Sequence, residues 1–310
     1  MKRMFAYLLV LPMLMLLTST SVLAAEDLSS ATQRQLKRLE TFLYGKVATG
    51  ALMERLARAE RDLLGRETGQ KPIEKCETLH RFLFQGTESE PSLELKLSFL
   101  EWKMFHETRS GKFSERIIAL EKSIIGKNPT TPLAFRLEQL TQLTIENGAL
   151  VLHKVKVPVG TNVRVRLDQD VSSNSSREGD LVPISVVRDL IIEENVLVVA
   201  KGTTSFGEVE KARKSGRFGR SGTLVFALRE VNSLDGTVLP MTLRNGLNQE
   251  LDKKKVGMAV GASALGYLAL GPVGLVGGVF VKGREQILPK GMELVLSTTE
   301  DLWLTGVMIR

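Results

Sequence analysis

The stretch VKVPVGTNVRVRL, Val155 to Leu167, decides how this chain divides. Val155-Lys156-Val157 and Val163-Arg164-Val165-Arg166-Leu167 alternate apolar with basic residues, the period of half-buried strands, and Gly160-Thr161 supplies a turn between them. Downstream, Leu181 to Val187, Val196 to Ala200, Thr223 to Leu228 and Val238 to Leu243 continue the series. Turn signals separate them at Gly179-Asp180, Lys201-Gly202 and Asp235-Gly236. Many short strands with regular turns predict a small β-barrel or sandwich over residues 151–310.

Upstream of Gly148 the period is helical. Leu39, Ala59, Leu79, Leu100, Leu120 and Leu140 follow one another at steps of 20, 20, 21, 20 and 20, and Glu40, Glu60, Glu101 and Glu121 come directly after four of them. RLETFLYG (Arg38 to Gly45), RAERDLLG (Arg58 to Gly65) and ALEKSIIG (Ala119 to Gly126) are copies of one amphipathic helix closed by glycine. Gly45, Gly65, Gly86 and Gly126 mark the turns, and Pro129 and Pro132 help start the last helix. Helices recurring about every twenty residues predict α-helical hairpin repeats over residues 26–150. The tetratricopeptide signature is absent, and Phe82, Phe84, Trp102 and Phe105 at helical spacing are expected in the core. The fold class predicted for the whole is therefore α+β.

The first 25 residues have the parts of a secretory signal peptide: Lys2 and Arg3, an apolar core from Met4 to Leu17, and small residues ending at Ala24-Ala25. Cleavage there predicts an exported chain beginning near Glu26. The net charge of +7 includes the two cations of the signal, and the remaining mild excess favours anionic surfaces without naming one. A lone cysteine, Cys76, excludes an intrachain disulfide framework and is expected to be a small buried hydrophobe.

Within the β-domain, residues 256–281 (VGMAVGASALGYLALGPVGLVGGVFV) carry no charge. About 20 such residues in a helix cross a bilayer's hydrocarbon layer. Gly271-Pro272 divides the run, so the expectation is an inserted glycine-rich apolar helical hairpin over 253–284. Gly257, Gly261, Gly266, Gly271, Pro272, Gly274 and Gly278 are its candidate membrane or oligomer contacts; Gly257/Gly261 and Gly274/Gly278 have the small-xxx-small spacing of close helix packing. Lys253, Lys254, Lys255, Lys282 and Arg284 flank it. Whether it spans a membrane, lies on one or packs against the barrel stays open at this point.

A second candidate is Lys211, Arg213, Lys214, Arg217 and Arg220, interspersed with Ser215, Gly216 and Gly219. It is expected at a hairpin tip, either docking on an anionic partner or keeping an edge soluble.

The order of segments in this half resembles the C-terminal β-barrel of the TrbI-like family, the channel-core subunits of type IV secretion and conjugation machines. The resemblance is carried by Pro158 to Thr161, Ala200 to Thr203 with Gly207-Glu208, Asp235-Gly236, and Glu300-Asp301-Leu302. It implies a barrel whose helical excursion, here the apolar run, lines an outer-membrane pore. The chain departs from that family in having an export signal in place of an inner-membrane helix and proline-rich spacer, and helical repeats before the barrel.

Chemistry is sparse. His80, His106 and His153 are the only histidines, and none has a second within helical ligand spacing. Asp168, Asp170, Glu178 and Asp180 follow turns and lack a calcium ladder, and no G-x-S-x-G elbow surrounds Ser172 to Ser176. No enzyme, metal or cofactor is expected, nor a specific nucleic acid or small-molecule substrate. The expected role is a non-enzymatic envelope protein, in the periplasm or at the outer membrane. It would bind envelope proteins through the helical repeats, and lipid or its own copies through the hairpin. The alternative is a soluble periplasmic binding module or chaperone, since Pro158 to Thr161 and Pro289 to Gly291 are also similar to β-clip domains.

Overall fold

A computed structural model describes residues 30–87, 90–127, 129–215, 222–244, 278–283 (backbone) and 286–309. Helix α1 covers 30–44, followed by α2 (Leu52–Leu64), α3 (Pro72–His80) with a π-turn at Arg81–Gln85, α4 (Leu93–Phe105), α5 (Phe113–Ile124) and α6 (Leu133–Thr144). The six periodic positions Leu39, Ala59, Leu79, Leu100, Leu120 and Leu140 are all sealed in one core. The helices close on themselves, because α6 lies against α2 as well as α4 and α5.

Each glutamate after a core position has a fixed set of partners. Arg55 grips Glu40 with two hydrogen bonds of 2.7 and 2.6 Å, Arg116 grips Glu101 at 2.9 and 2.7 Å, and Arg136 grips Glu121 at 2.7 and 2.5 Å. Lys75 meets Glu60 through one ammonium contact to Oε2, while the Thr68 hydroxyl donates to Oε1. Every cation lies fifteen residues beyond its carboxylate. The loop after each helix adds a backbone donor: Ala48 N–H to Glu40 (3.1 Å), Thr68 N–H to Glu60 (3.1 Å) and Arg109 N–H to Glu101 (3.0 Å). The equivalent position after Glu121 is Pro129, which has no N–H. Burial alone would raise the Glu60 pKa, but the hydrogen bonds from Lys75 and Thr68 together hold it below the ordinary value.

The single step of 21 has a structural cause. The π-turn at Arg81–Gln85 absorbs one extra residue between Leu79 and Gly86. In that unit His80 replaces the carboxylate, and Lys96, in the cation slot, pairs with Glu138 at 2.9 Å. Gly45, Gly65, Gly86 and Gly126 all have φ between 63° and 74°; the fourth turn places His106 in the same left-handed conformation at φ 57°.

The β-domain comprises β1 (Leu152–Val157), β2 (Asn162–Leu167), β3 (Val171–Ser172), β4 (Leu181–Val186), β5 (Leu190–Ile192), β6 (Val196–Val199), β7 (Thr204–Arg213), β8 (Gly222–Ala227), β9 (Glu230–Asn232), β10 (Val238–Leu243), β11 (Gly278–Gly283), β12 (Ile287–Leu288), β13 (Glu293–Thr298) and β14 (Leu302–Met308). They form sheets ordered β11-β8-β7-β4-β2-β13-β10-β9, β1-β14-β6-β5 and β12-β3. Residues of the two larger sheets, among them Val155, Val165, Val198, Phe226, Leu294 and Leu304, share one core. The predicted α+β class, helices first and antiparallel strands after, is what the structure has.

Two segments distant in sequence clasp the barrel. Val159 N–H donates to Asp301 Oδ1 at 2.8 Å, Gly160 N–H to the Thr298 carbonyl at 2.9 Å, and Thr298 Oγ1 to the Pro158 carbonyl at 2.7 Å. The Lys156 ammonium at 2.6 Å and the Val159 N–H hold the Asp301 carboxyl below its usual range.

Helices and strands meet along α4. Leu95 and Phe99 pack with Leu197, Ala200, Leu234 and Val307. The Trp102 indole donates to Asp189 Oδ2 at 2.9 Å, while Lys201 N–H donates to Asp189 Oδ1 at 2.6 Å. Thr108 N–H donates to the Lys201 carbonyl at 2.8 Å. Gly202 has φ 83°, and a Cβ there would lie 2.3 Å from the Thr108 carbonyl oxygen, so only glycine lets the two backbones approach.

Three outcomes are expected. Glu101→Ala strands Arg116 in the core and lowers unfolding stability by about 3–5 kcal/mol, most of which Glu101→Ala with Arg116→Leu restores; chemical denaturation measures both. His106→Gly, at an exposed position, raises stability by about 1 kcal/mol by relieving left-handed strain, read as a higher melting temperature. Glu94, on the first turn of α4, keeps 28% of its side-chain surface exposed, yet its Oε2 is sealed off without a hydrogen bond. Burial raises its pKa, against the pull of Arg38 and Arg116. A raised carboxyl favours the fold when protonated and loses that contribution as pH rises from the ordinary glutamate value through the raised one. Glu94→Gln therefore exceeds the wild type in stability at neutral pH, and the gap closes on acidification; denaturation midpoints across that range decide it.

Candidate functional site

Strands β7, β8 and β11 form a three-stranded tongue that continues beyond the start of β4. Leu181, the first residue of β4, pairs with Glu208, and the turn before it still bonds Val209 through Gly179 and Asp180; from Glu210 to Arg213 the described partner of β7 is β8. A bulge at Glu210 interrupts that pairing, and Arg229 meets the Glu210 carboxylate. On the far side β11 runs antiparallel to β8, from Gly278 opposite Ala227 to Gly283 opposite Gly222.

This register joins the two sequence candidates. Arg213, Thr223 and Lys282 stand in one row across the tongue, and Lys211, Val225 and Phe280 in another. Within β7 and β8, the directly opposed pairs Arg213/Thr223 and Lys211/Val225 each share a face of the antiparallel ladder. Lys211, Arg213 and Lys214 are exposed, and no carboxylate among the described residues pairs with them.

Two expectations are corrected here. Lys211 and Arg213 belong to strand β7 and not to a hairpin tip; Ala212 between them turns inward and packs on the core, which fixes the alternation. Gly278 to Val281, the end of the apolar run, are β-strand and not helix. Val279-Phe280-Val281 are strong strand formers with a free edge of β8 to pair against. Gly257, Gly261, Gly266, Gly271, Pro272 and Gly274 lie outside the described residues, as do Arg217, Arg220 and the export signal. Among the described residues, no helix is long and apolar enough to cross a membrane.

The remaining polar candidates are structural. Asp168 accepts from Ser185 Oγ, Asp170 from Lys290 N–H at 2.6 Å, and Asp180 from Arg177 N–H at 2.7 Å, each holding a turn. Phe84 is buried against Phe42, while Trp102 is spent on Asp189. Burial pushes the Cys76 thiol up to about 11, which removes it as a nucleophile at neutral pH. No group of three His, Cys, Asp or Glu side chains suited to a metal ion occurs among the described residues.

No protein-family model matches this sequence. No curated protein matches it. Among solved structures, the chain has a similarity to ComB10 of the Com type IV secretion system of Helicobacter pylori, at 11% identity and a TM-score of 0.26, covering 48% of this chain and 90% of that one. A likeness this shallow establishes neither fold nor role for this chain.

Proposed function

We propose that this protein is a non-enzymatic component of a bacterial cell envelope, exported by its N-terminal signal and assembled through the apolar run. The observation that carries the proposal is the continuity of residues 256–281 with strand β11. The end of a charge-free, membrane-competent segment is stitched into the barrel between Ala227 and Leu224, and the cations of β7 occupy the same tongue. A barrel that holds such a segment at a fixed place suits self-assembly or lipid contact. The exposed cations of β7, with no ion pair among the described residues, suit an anionic surface.

The TrbI-like reading of the β-domain belongs to this proposal. Its support is positional: Pro158 to Thr161 and Asp301, the first and last segments of the resemblance, clasp each other, while Gly207-Glu208 lies on β7 and Asp235-Gly236 turns between β9 and β10. The helical repeats serve as the partner-binding part, with Phe135 and Leu143 exposed on α6.

The register of β11 dictates the test. Removing residues 256–277 and closing the gap with a short Gly/Ser linker leaves the tongue intact. The full chain is expected to fractionate with membranes and to give a multimer on detergent extraction, and the shortened chain to be soluble and monomeric with unchanged melting. Equal solubility and a monomeric size for both chains would overturn the assembly role.

A further inference from the structure

On the outer face of the eight-stranded sheet, three arginines far apart in sequence come together. Strands β4, β2, β13 and β10 are consecutive neighbours. Arg164 on β2 stands opposite Val295 on β13. Arg244, immediately after β10, donates its N–H to the Val295 carbonyl at 3.0 Å and so lies level with it on the other side. Val187 N–H donates to the Arg164 carbonyl at 2.8 Å, which sets Arg188 one residue beyond the same row. With strands about 4.8 Å apart, Arg164 and Arg244 are separated by roughly 10 Å, within the joint reach of two arginine side chains. All three line a cleft of about 270 Å³ together with Asp189.

The charges in the cleft do not balance internally. Asp189 is committed to the domain seam, where both its oxygens accept hydrogen bonds from Trp102 and Lys201. Arg164 has an exposed partner, Glu293, at 3.3 Å. Among the described residues, Arg188 and Arg244 have no carboxylate in ion-pair range. Even with both acids counted, the cleft keeps a positive excess. Like charges gathered around one cleft are unfavourable without a counter-ion.

We propose that Arg164, Arg188 and Arg244 form an oxyanion site that takes a phosphoryl group. A carboxylate fills one guanidinium fork; a tetrahedral phosphoryl group offers several oxygens and a charge near minus two, which three forks can share. The group can come from free phosphate or from a lipid headgroup, and the site does not depend on the assembly role proposed above.

The test uses the full chain with two probes: inorganic phosphate by equilibrium dialysis, and flotation with phosphatidylcholine vesicles with and without phosphatidic acid. Arg188→Gln and Arg244→Gln remove side chains with no ion pair among the described residues, so melting temperature should hold while phosphate affinity falls by about tenfold or more in each. Lys211→Gln with Arg213→Gln, on the distant tongue, should leave phosphate binding unchanged. Phosphatidic-acid-dependent flotation that the cleft variants also lose identifies a headgroup as the source; phosphate binding without that dependence identifies the free anion. Binding of neither probe by the wild type, or equal binding by wild type and cleft variants, overturns the site.

Discussion

A glutamate that cannot reach water must find its partners nearby, and this requirement organises the helical half. Each of Glu40, Glu60, Glu101 and Glu121 sits in the core beside an apolar position and is met by a cation fifteen residues later. That interval spans the rest of one helix, a turn and the first part of the next helix, so satisfying the carboxylate fixes how consecutive helices meet. A left-handed residue closes the helix, and the loop then donates an N–H to the same carboxylate in three of the four units. Buried ion pairs add little net stability over an apolar filling, but an unpaired buried charge costs several kcal/mol. Their effect here is on register. The unit with an inserted residue makes the point, since its π-turn restores the phase of the helix for Leu83, Phe84 and the units that follow.

Register in the helices carries through to the seam. Helix α4 has to offer two faces at once: Leu97 and Leu100 inward to the helical core, Leu95, Phe99 and Trp102 outward to the strands. An amphipathic helix with a single apolar stripe could not do this, and α4 is correspondingly apolar over much of its circumference. Asp189 finishes the joint by accepting from the α4 indole and from the Lys201 backbone, so one carboxylate orients the helix and a β-turn together. The same residue borders the arginine cleft, which places that cleft beside the joint.

Much of this was legible in the chain and some was not, for identifiable reasons. The six apolar positions at twenty-residue steps predicted the core residues themselves, because helical burial follows a local period. The cations at 55, 75, 116 and 136 repeat just as regularly, but their pairing spans two helices and is invisible to a pattern read one helix at a time. Strands with clean alternation, such as β2, β4 and β10, were expected within a residue of their bounds. Strand β7 was missed as a strand because its outer half interleaves charges with one small residue, Ala212, and reads as loop. Strand β11 was missed because a continuous apolar run fits a buried strand or a buried helix equally well. The arginine cleft joins residues 164, 188 and 244 through sheet register, which no local spacing encodes.

Sheet order also constrains the apolar run. From β11 through β8, β7, β4, β2 and β13 to β10, every successive pair is antiparallel. Six reversals leave β10 and β11 pointing the same way around the sheet. Strand β10 therefore ends at Leu243, and β11 starts at Gly278 at the opposite end of a strand of like direction. Two parallel strands demand a crossover of a dozen residues or more, and a tight turn cannot serve. The described strands thus end and restart at two separate places, Arg244 beside the cleft and Gly278 at the base of the tongue.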